Sequence, residues 1–114
     1  ILGISGLMGA GRTELARTLY GIYGKDQGEI VLENRNVRLN NPTDALKQGI
    51  AYVSEDRKAN GIVLGLNVRE NITLASLKAY SGKIGNVSRA KEEKSTQHYI
   101  GGMSIKTSGS SQLI

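Results

Sequence analysis

Three features of the sequence predict an α/β fold. Short apolar runs of strand length lie at Ile1–Ser5 and Ile50–Val53, and stretches of helical periodicity lie between and after them. A glycine-rich octapeptide, "GLMGAGRT" at residues 6–13, joins the first run to the first helical stretch. Short apolar runs bounded by turn signals suit strands buried on both faces. Strand, glycine loop and helix in that order form the arrangement in which backbone N–H groups converge on a phosphate.

The elements follow in order. Ile1–Ser5 reads as a buried strand. From Arg12 to Tyr23 the residues Leu15, Ala16, Leu19, Tyr20 and Tyr23 recur at three and four, as on one face of a helix, and Gly21 and Gly24 punctuate its end. Residues 29–39 alternate on either side of Asn34-Arg35-Asn36, which has turn composition, so they predict a hairpin. Asn41-Pro42-Thr43-Asp44 offers an N-cap, a proline at the first helical position and an acid in the first turn, predicting a short helix to about Gln48 that Gly49 stops. Ile50–Val53 reads as a second buried strand, and the polar loop 54–61 follows it.

Asn67 with Glu70 three residues on has the capping-box pattern and opens a helix expected to reach Leu77. Residues 81–88 read as a connection. Residues 89–100 are strongly charged at first and carry Thr96, Tyr99, Ile100 and Met103 at helical spacing, which predicts a mostly exposed helix. The serine- and glycine-rich stretch 107–112 reads as a flexible tail.

Composition narrows the function. A length of 114 residues suits one modest domain or part of a larger one, and the apolar residues at both ends favour the second. The net charge of +5 comes from scattered basic residues without a tryptophan or phenylalanine to stack on bases, which argues against nucleic acid as a partner. Absence of cysteine excludes a disulfide framework and a thiolate metal site. No apolar run is long enough for a transmembrane helix or signal peptide, so membrane attachment is expected to pass through a partner protein.

The octapeptide has the spacing of a phosphate-binding loop, G-x-x-x-x-G-K-[ST], with Arg12 where lysine is usual. Gly6, Gly9 and Gly11 allow the backbone to turn toward an anion, and Thr13 places a hydroxyl where Mg²⁺ is held in such loops. Guanidinium is planar, broader than ammonium and always charged, so Arg12 is expected to keep its attraction for phosphate while placing the charge differently. Binding should therefore survive better than catalysis. A plain strand-to-helix connector is the competing reading. The coincidence of flanking strand, three glycines, basic residue, threonine and helix favours phosphate.

With the hairpin "GEIVLENRNVRL", the strand "GIAYVSEDRK" and the helix start "LNVRENITL", the chain resembles the nucleotide-binding domain of an ATP-binding cassette (ABC) transporter. More narrowly, "ILGISGLMGAGRTELARTLYGIYG" and "YVSEDRKANGIVLGLNVREN" are similar to the second cassette of the tandem ATPase subunits of bacterial ribose-, xylose- and galactose-type importers. Arginine in place of the loop lysine is a feature of that second cassette.

The resemblance implies a partial P-loop NTPase domain. Residues 1–61 would be the Walker A half of the core with its hairpin, 62–106 part of the helical subdomain and 107–114 a flexible tail. It implies ATP held through its phosphates by Gly6, Gly9, Ala10, Gly11, Arg12 and Thr13, and Mg²⁺ held by Thr13 and Glu55, which stands where most cassettes have glutamine. The plainer reading of Glu55 is a solvated acid beside Arg57 and Lys58. "NVREN" resembles the stretch near the contact with the membrane subunit. The implied partners are a second ATP-binding cassette, transmembrane permease subunits and, indirectly, a sugar-binding protein, at the cytoplasmic face of the bacterial inner membrane.

The signature sequence, Walker B acids and switch histidine of the family have no counterpart in these residues. "GGMS" at 101–104 reads as a helix end, and His98 as a surface histidine. The chain alone is therefore expected to be inactive. Two other functions fit the same loop: a cassette that holds nucleotide or serves structurally while its partner catalyses, and an unrelated P-loop enzyme such as a small-molecule kinase.

Overall fold

The computed structural model describes all residues 1–114, which form two compact units, residues 1–53 and 54–114. The polar loop 54–61 opens the second unit. That loop closes locally, as a single wide turn over Arg57–Gly61 whose Asp56 carboxylate accepts the Ala59 N–H at 3.0 Å.

In the first unit, α1 spans Arg12–Leu19 and β1 and β2 span Ile30–Leu32 and Arg35–Val37, followed by α2 at Pro42–Lys47. Helix α1 ends earlier than its apolar periodicity suggests, because Gly21 turns left-handed at φ 77°. The Gly21 N–H then bonds to the Thr18 carbonyl at 3.0 Å and the Ile22 N–H to the Arg17 carbonyl at 2.8 Å, which satisfies the last-turn acceptors in a Schellman motif. Helix α2 repeats the device: Gly49, at φ 78°, bonds to Leu46 at 3.0 Å and Ile50 to Ala45 at 2.9 Å. Its start is capped as expected, with the Asn41 side chain accepting the Asp44 N–H at 3.0 Å and Pro42 at the first position.

The hairpin forms, but its turn differs. Ile30 faces Val37 and Leu32 faces Arg35 across an antiparallel pair, leaving Glu33 and Asn34 as a two-residue connection with φ of 48° and 61°. Such a type I′ turn matches the twist of the strands, so Arg35 and Asn36 are ladder residues and not turn residues.

Neither Ile1–Ser5 nor Ile50–Val53 forms the expected buried strand. Both lack regular structure, and Leu2 and Val53 are 86% and 92% exposed. Apolar composition alone does not make a strand, because each needs a neighbour to receive its N–H and C=O groups. Here β1 and β2 pair only with each other. Leu39 and Ala45 are the buried apolar residues of this unit.

In the second unit, α3 spans Val68–Leu74, α4 Leu77–Tyr80 and α5 Arg89–Gly102. The capping box is complete: the Glu70 N–H donates to Asn67 Oδ1 at 3.0 Å, and the Asn67 N–H donates to Glu70 Oε2 at 2.9 Å. The helix expected to reach Leu77 is broken at Ala75–Ser76, where the Ser76 N–H reaches back only three residues to Thr73 at 3.0 Å. Residues 81–88 double back, with Ser81 bridged to Val87 and the Ser88 N–H on the Tyr80 carbonyl at 2.9 Å.

Helix α5 packs against α3 and α4. Its inward residues are Glu92 and Thr96, whereas Tyr99 and Met103 of the expected apolar stripe are exposed. The inner face is polar because its partners on α3, Arg69 and Thr73, are polar and buried. Gly101 and Gly102 close the helix, as the reading of "GGMS" anticipates, and His98 is exposed.

Residues 107–114 do not hang free as the flexible tail their composition suggests. Ser110 is buried, and the Val68 and Arg69 N–H groups donate to the Gln112 and Ser110 carbonyls, both at 2.9 Å. The first-turn N–H groups of a helix have no partner within it, and the tail carbonyls fill that need.

Candidate functional site

The glycine loop is a tight turn feeding directly into a helix. The Ala10 N–H bonds back to the Leu7 carbonyl at 3.1 Å, with Gly9 at φ 81° between them, and Gly11, at φ 78°, occupies the N-cap of α1. Left-handed backbone at both positions costs an L side chain about 1–2 kcal/mol and costs glycine almost nothing. The helix is then under way, with the Leu15 N–H on the Gly11 carbonyl at 2.9 Å.

Gly6 matters for space instead. A Cβ there would lie 3.0 Å from Ala10 Cβ and 3.4 Å from Arg12 Nη1, so a side chain would fill the concave side of the loop. Thus Gly6, Gly9, Ala10, Gly11, Arg12 and Thr13 lie together on one continuous turn and helix start. A helix start leaves its first-turn N–H groups without partners in the helix and carries the positive end of its dipole, which is the arrangement that holds an anion.

The Arg12 guanidinium folds back over this concavity and donates from Nη1 to the Gly6 carbonyl. One of its donors is therefore directed at the loop's own backbone. The remaining donors keep the planar fork that suits phosphate oxygens. This chemistry fits a phosphate group: glycines where bulk would intrude, a helix start and a permanent cation.

Thr13 lies in the first turn of α1 in the first unit, and Glu55 is an exposed residue of the second unit. No cluster of three or more His, Cys, Asp or Glu side chains has the geometry to hold a metal ion. A hydroxyl together with phosphate oxygens is nevertheless a donor set suited to Mg²⁺, which keeps several waters.

At the far end of α1, Arg17 Nη1 donates to the Tyr23 hydroxyl at 2.9 Å and the guanidinium lies 5.7 Å from the centre of that ring. Hydrogen bonds to Tyr23 and then to Tyr52 raise its pKa above the usual arginine value. The Tyr20 and Tyr52 rings meet at 5.6 Å, which ties α1 to the apolar run that failed to become a strand. An open cleft of about 600 Å³ lined by Lys25, Glu29, Arg38 and neighbours includes none of residues 6–13.

The sequence reading missed a buried polar cluster in the second unit. Arg69 is 6% exposed, and its Nη2, Nε and Nη1 each lie 3.7 Å from a carboxylate oxygen, of Glu70, Glu92 and Glu93 respectively. Glu92, also 6% exposed, accepts the Thr73 hydroxyl at 2.6 Å. Glu93 accepts from Gln97 and from the Ser110 hydroxyl, both at 2.8 Å. These two hydrogen bonds, more than the attraction of Arg69, hold the Glu93 pKa below the usual carboxylate range. The available signal was the spacing of four between Arg69 and Thr73 and between Glu92 and Thr96, which puts each pair on one helix face.

The comparisons with known proteins cover the whole chain. It matches the ABC transporter family over residues 1–111. It is 44% identical over all 114 residues to a ribose import ATP-binding protein of Clostridium tetani, and 47% identical over the same length to the one from Clostridium perfringens strain SM101. A ribose import ATP-binding protein of Oceanobacillus iheyensis is 46% identical over 107 residues, 94% of this chain. The chain spans 23% of the length of the clostridial proteins and 21% of the third. No solved structure matches.

A match over nearly the full chain removes the unrelated P-loop kinase as an alternative and gives the glycine loop its family setting. The chain belongs to the ABC transporter family.

Proposed function

We propose that these residues form part of the ATP-binding cassette of a bacterial sugar importer, where ATP binding and hydrolysis are coupled to sugar uptake. The observation that carries this reading is the alignment of the entire chain with ribose import ATP-binding proteins at 44–47% identity in the two clostridial cases. The glycine loop supplies the matching chemistry. Gly6, Gly9, Ala10 and Gly11 offer backbone N–H groups to the phosphates of ATP, and Arg12 adds its charge. The Thr13 hydroxyl would hold Mg²⁺, which supplies neutralisation of phosphate charge when bound.

The cassette would pair with a second one and work against transmembrane permease subunits supplied by a sugar-binding protein. Its place would be the cytoplasmic face of the membrane. No helix of this chain is long and apolar enough to cross a membrane, which suits a peripheral role. The sugar itself would be selected by the other subunits.

One observation favours a narrower version, in which this cassette holds nucleotide while its partner catalyses. Arg12 directs a donor to the Gly6 carbonyl, and guanidinium cannot sit between the outer phosphates as a compact ammonium does. Small misplacements of charge cost far more in catalysis than in binding.

The test replaces the corresponding segment of the Clostridium tetani ribose import ATP-binding protein with these 114 residues. Ribose uptake and ATP turnover by the assembled transporter should persist within about 10-fold of the parent, a change of 1.4 kcal/mol. A folded, assembled chimera that binds no ATP and moves no ribose would contradict the proposal. The chain alone should show no ATP turnover above the Arg12→Ala background. Turnover that Arg12→Ala abolishes would overturn that expectation.

A further inference from the structure

The most unusual feature outside the glycine loop is the position of Arg69. Its guanidinium is buried among three carboxylates at the same distance of 3.7 Å, none within hydrogen-bonding reach. Nε and Nη1 are inaccessible and have no hydrogen-bond partner. A guanidinium forms its strongest contacts by two parallel bonds to one carboxylate. Centred between several, it makes none of them, and each acid offers it an alternative partner.

The two acids of α5 have different consequences. Glu92 is buried and engaged through Oε1 with Thr73, with Oε2 turned to Arg69 Nε. Glu93 is partly exposed and holds the tail, because the Ser110 hydroxyl reaches both of its oxygens, at 2.8 and 2.9 Å. Ser110 in turn accepts the Arg69 N–H through its carbonyl at 2.9 Å. The same arginine is thus joined to the tail by its backbone and competes for the tail's acceptor with its side chain.

We infer that Arg69 is a two-position latch and the residue that positions the tail on α3. Drawn to Glu92, it leaves Glu93 to Ser110 and the tail stays across the start of α3. Drawn to Glu93 with two parallel bonds, it displaces the Ser110 hydroxyl, and the carbonyls of Ser110 and Gln112 leave the Arg69 and Val68 N–H groups. No bond is made or broken covalently, and the change is an exchange of partners within one polar joint. Under the reading in which "NVREN" lies near a membrane subunit, the latch links that contact to the tail; this last step rests on the proposed function.

The test is amide hydrogen exchange by NMR on the full chain without nucleotide, so it stands apart from ATP binding or transport. The amides of Val68 and Arg69 report the docked tail directly, and those of α5 report global stability. Glu93→Gln keeps an acceptor for Ser110 but weakens the pull on Arg69, so Val68 and Arg69 should exchange several-fold more slowly than in the parent. Glu92→Gln keeps an acceptor for Thr73 but sends Arg69 to Glu93, so the same amides should exchange about 10-fold faster while α5 is unchanged. Ser110→Ala removes the competitor and should act as Glu92→Gln does, which provides a second loosening variant should Glu92→Gln not fold. Opposite shifts in the two directions support the latch. Equal acceleration in all three variants, or no change at Val68 and Arg69, would mean that the acids serve only packing and would overturn it.

Discussion

Arg69→Ala is expected to destabilise the second unit by about 3–5 kcal/mol, the usual consequence of removing one partner from a buried ion pair. Glu92 would remain buried at 6% exposure with only the Thr73 hydroxyl to meet its charge. Small domains have total stabilities of about 5–15 kcal/mol, so a loss of that size is a large part of the whole. Urea unfolding followed by circular dichroism measures it. Replacing both partners by apolar residues, Arg69→Leu with Glu92→Leu, should recover most of the loss, since a filled apolar joint costs no charge desolvation. Thr73 would then donate to the Arg69-position carbonyl, already 3.0 Å away. A double variant no more stable than the single one would show that the ion pair holds the joint by net attraction.

In the first unit the largest effect is expected at Gly21. An added Cβ would sit 2.8 Å from the carbonyl carbon and oxygen of Asn41 and 2.9 Å from its nitrogen, all backbone atoms with no side chain to swing away. The residue is also left-handed at φ 77°. Gly21→Ala therefore combines the left-handed penalty of about 1–2 kcal/mol with displacement of the residue that caps α2, itself worth about 1 kcal/mol. A loss of about 3 kcal/mol is expected. Gly28 is the matched comparison: at φ 87° it is left-handed too, but a Cβ there meets nothing within 4 Å, so Gly28→Ala should cost only the backbone penalty. Equal effects at the two sites, read from thermal unfolding, would show that the contact with Asn41 is unimportant.

Features with local causes were legible in the sequence. The reciprocal capping of Asn67 and Glu70 and the Asn41-Pro42 helix start depend on residues three or four apart, and both appear as expected. Gly21 and Gly49 stop their helices because the left-handed residue is supplied where the chain must turn. The glycine loop belongs to this class, since its turn and helix start involve residues 6–15 alone.

Features that depend on distant partners were not legible. Ile1–Ser5 and Ile50–Val53 have strand composition, yet a strand is a relation to a neighbour that composition does not contain. The hairpin was found, but its turn lies at Glu33 and Asn34, because strand register across the pair selects the primed two-residue turn. The inner face of α5 was misjudged for the same reason. Glu92 is a surface residue by type, and only its partners on another helix, Arg69 and Thr73, make its burial tolerable.

The central claim is that residues 6–13 cradle the phosphates of a nucleotide, and a titration of the ¹⁵N-labelled chain with Mg²⁺-ATP, read by NMR, tests it most directly. The amide shifts are expected to concentrate at Gly9–Thr13. In Arg12→Ala the affinity should fall at least about 10-fold, in keeping with the loss of a charged hydrogen bond. Saturating Mg²⁺-ATP that leaves these amides unmoved in a folded sample, or binding unaffected by Arg12→Ala, would contradict the account.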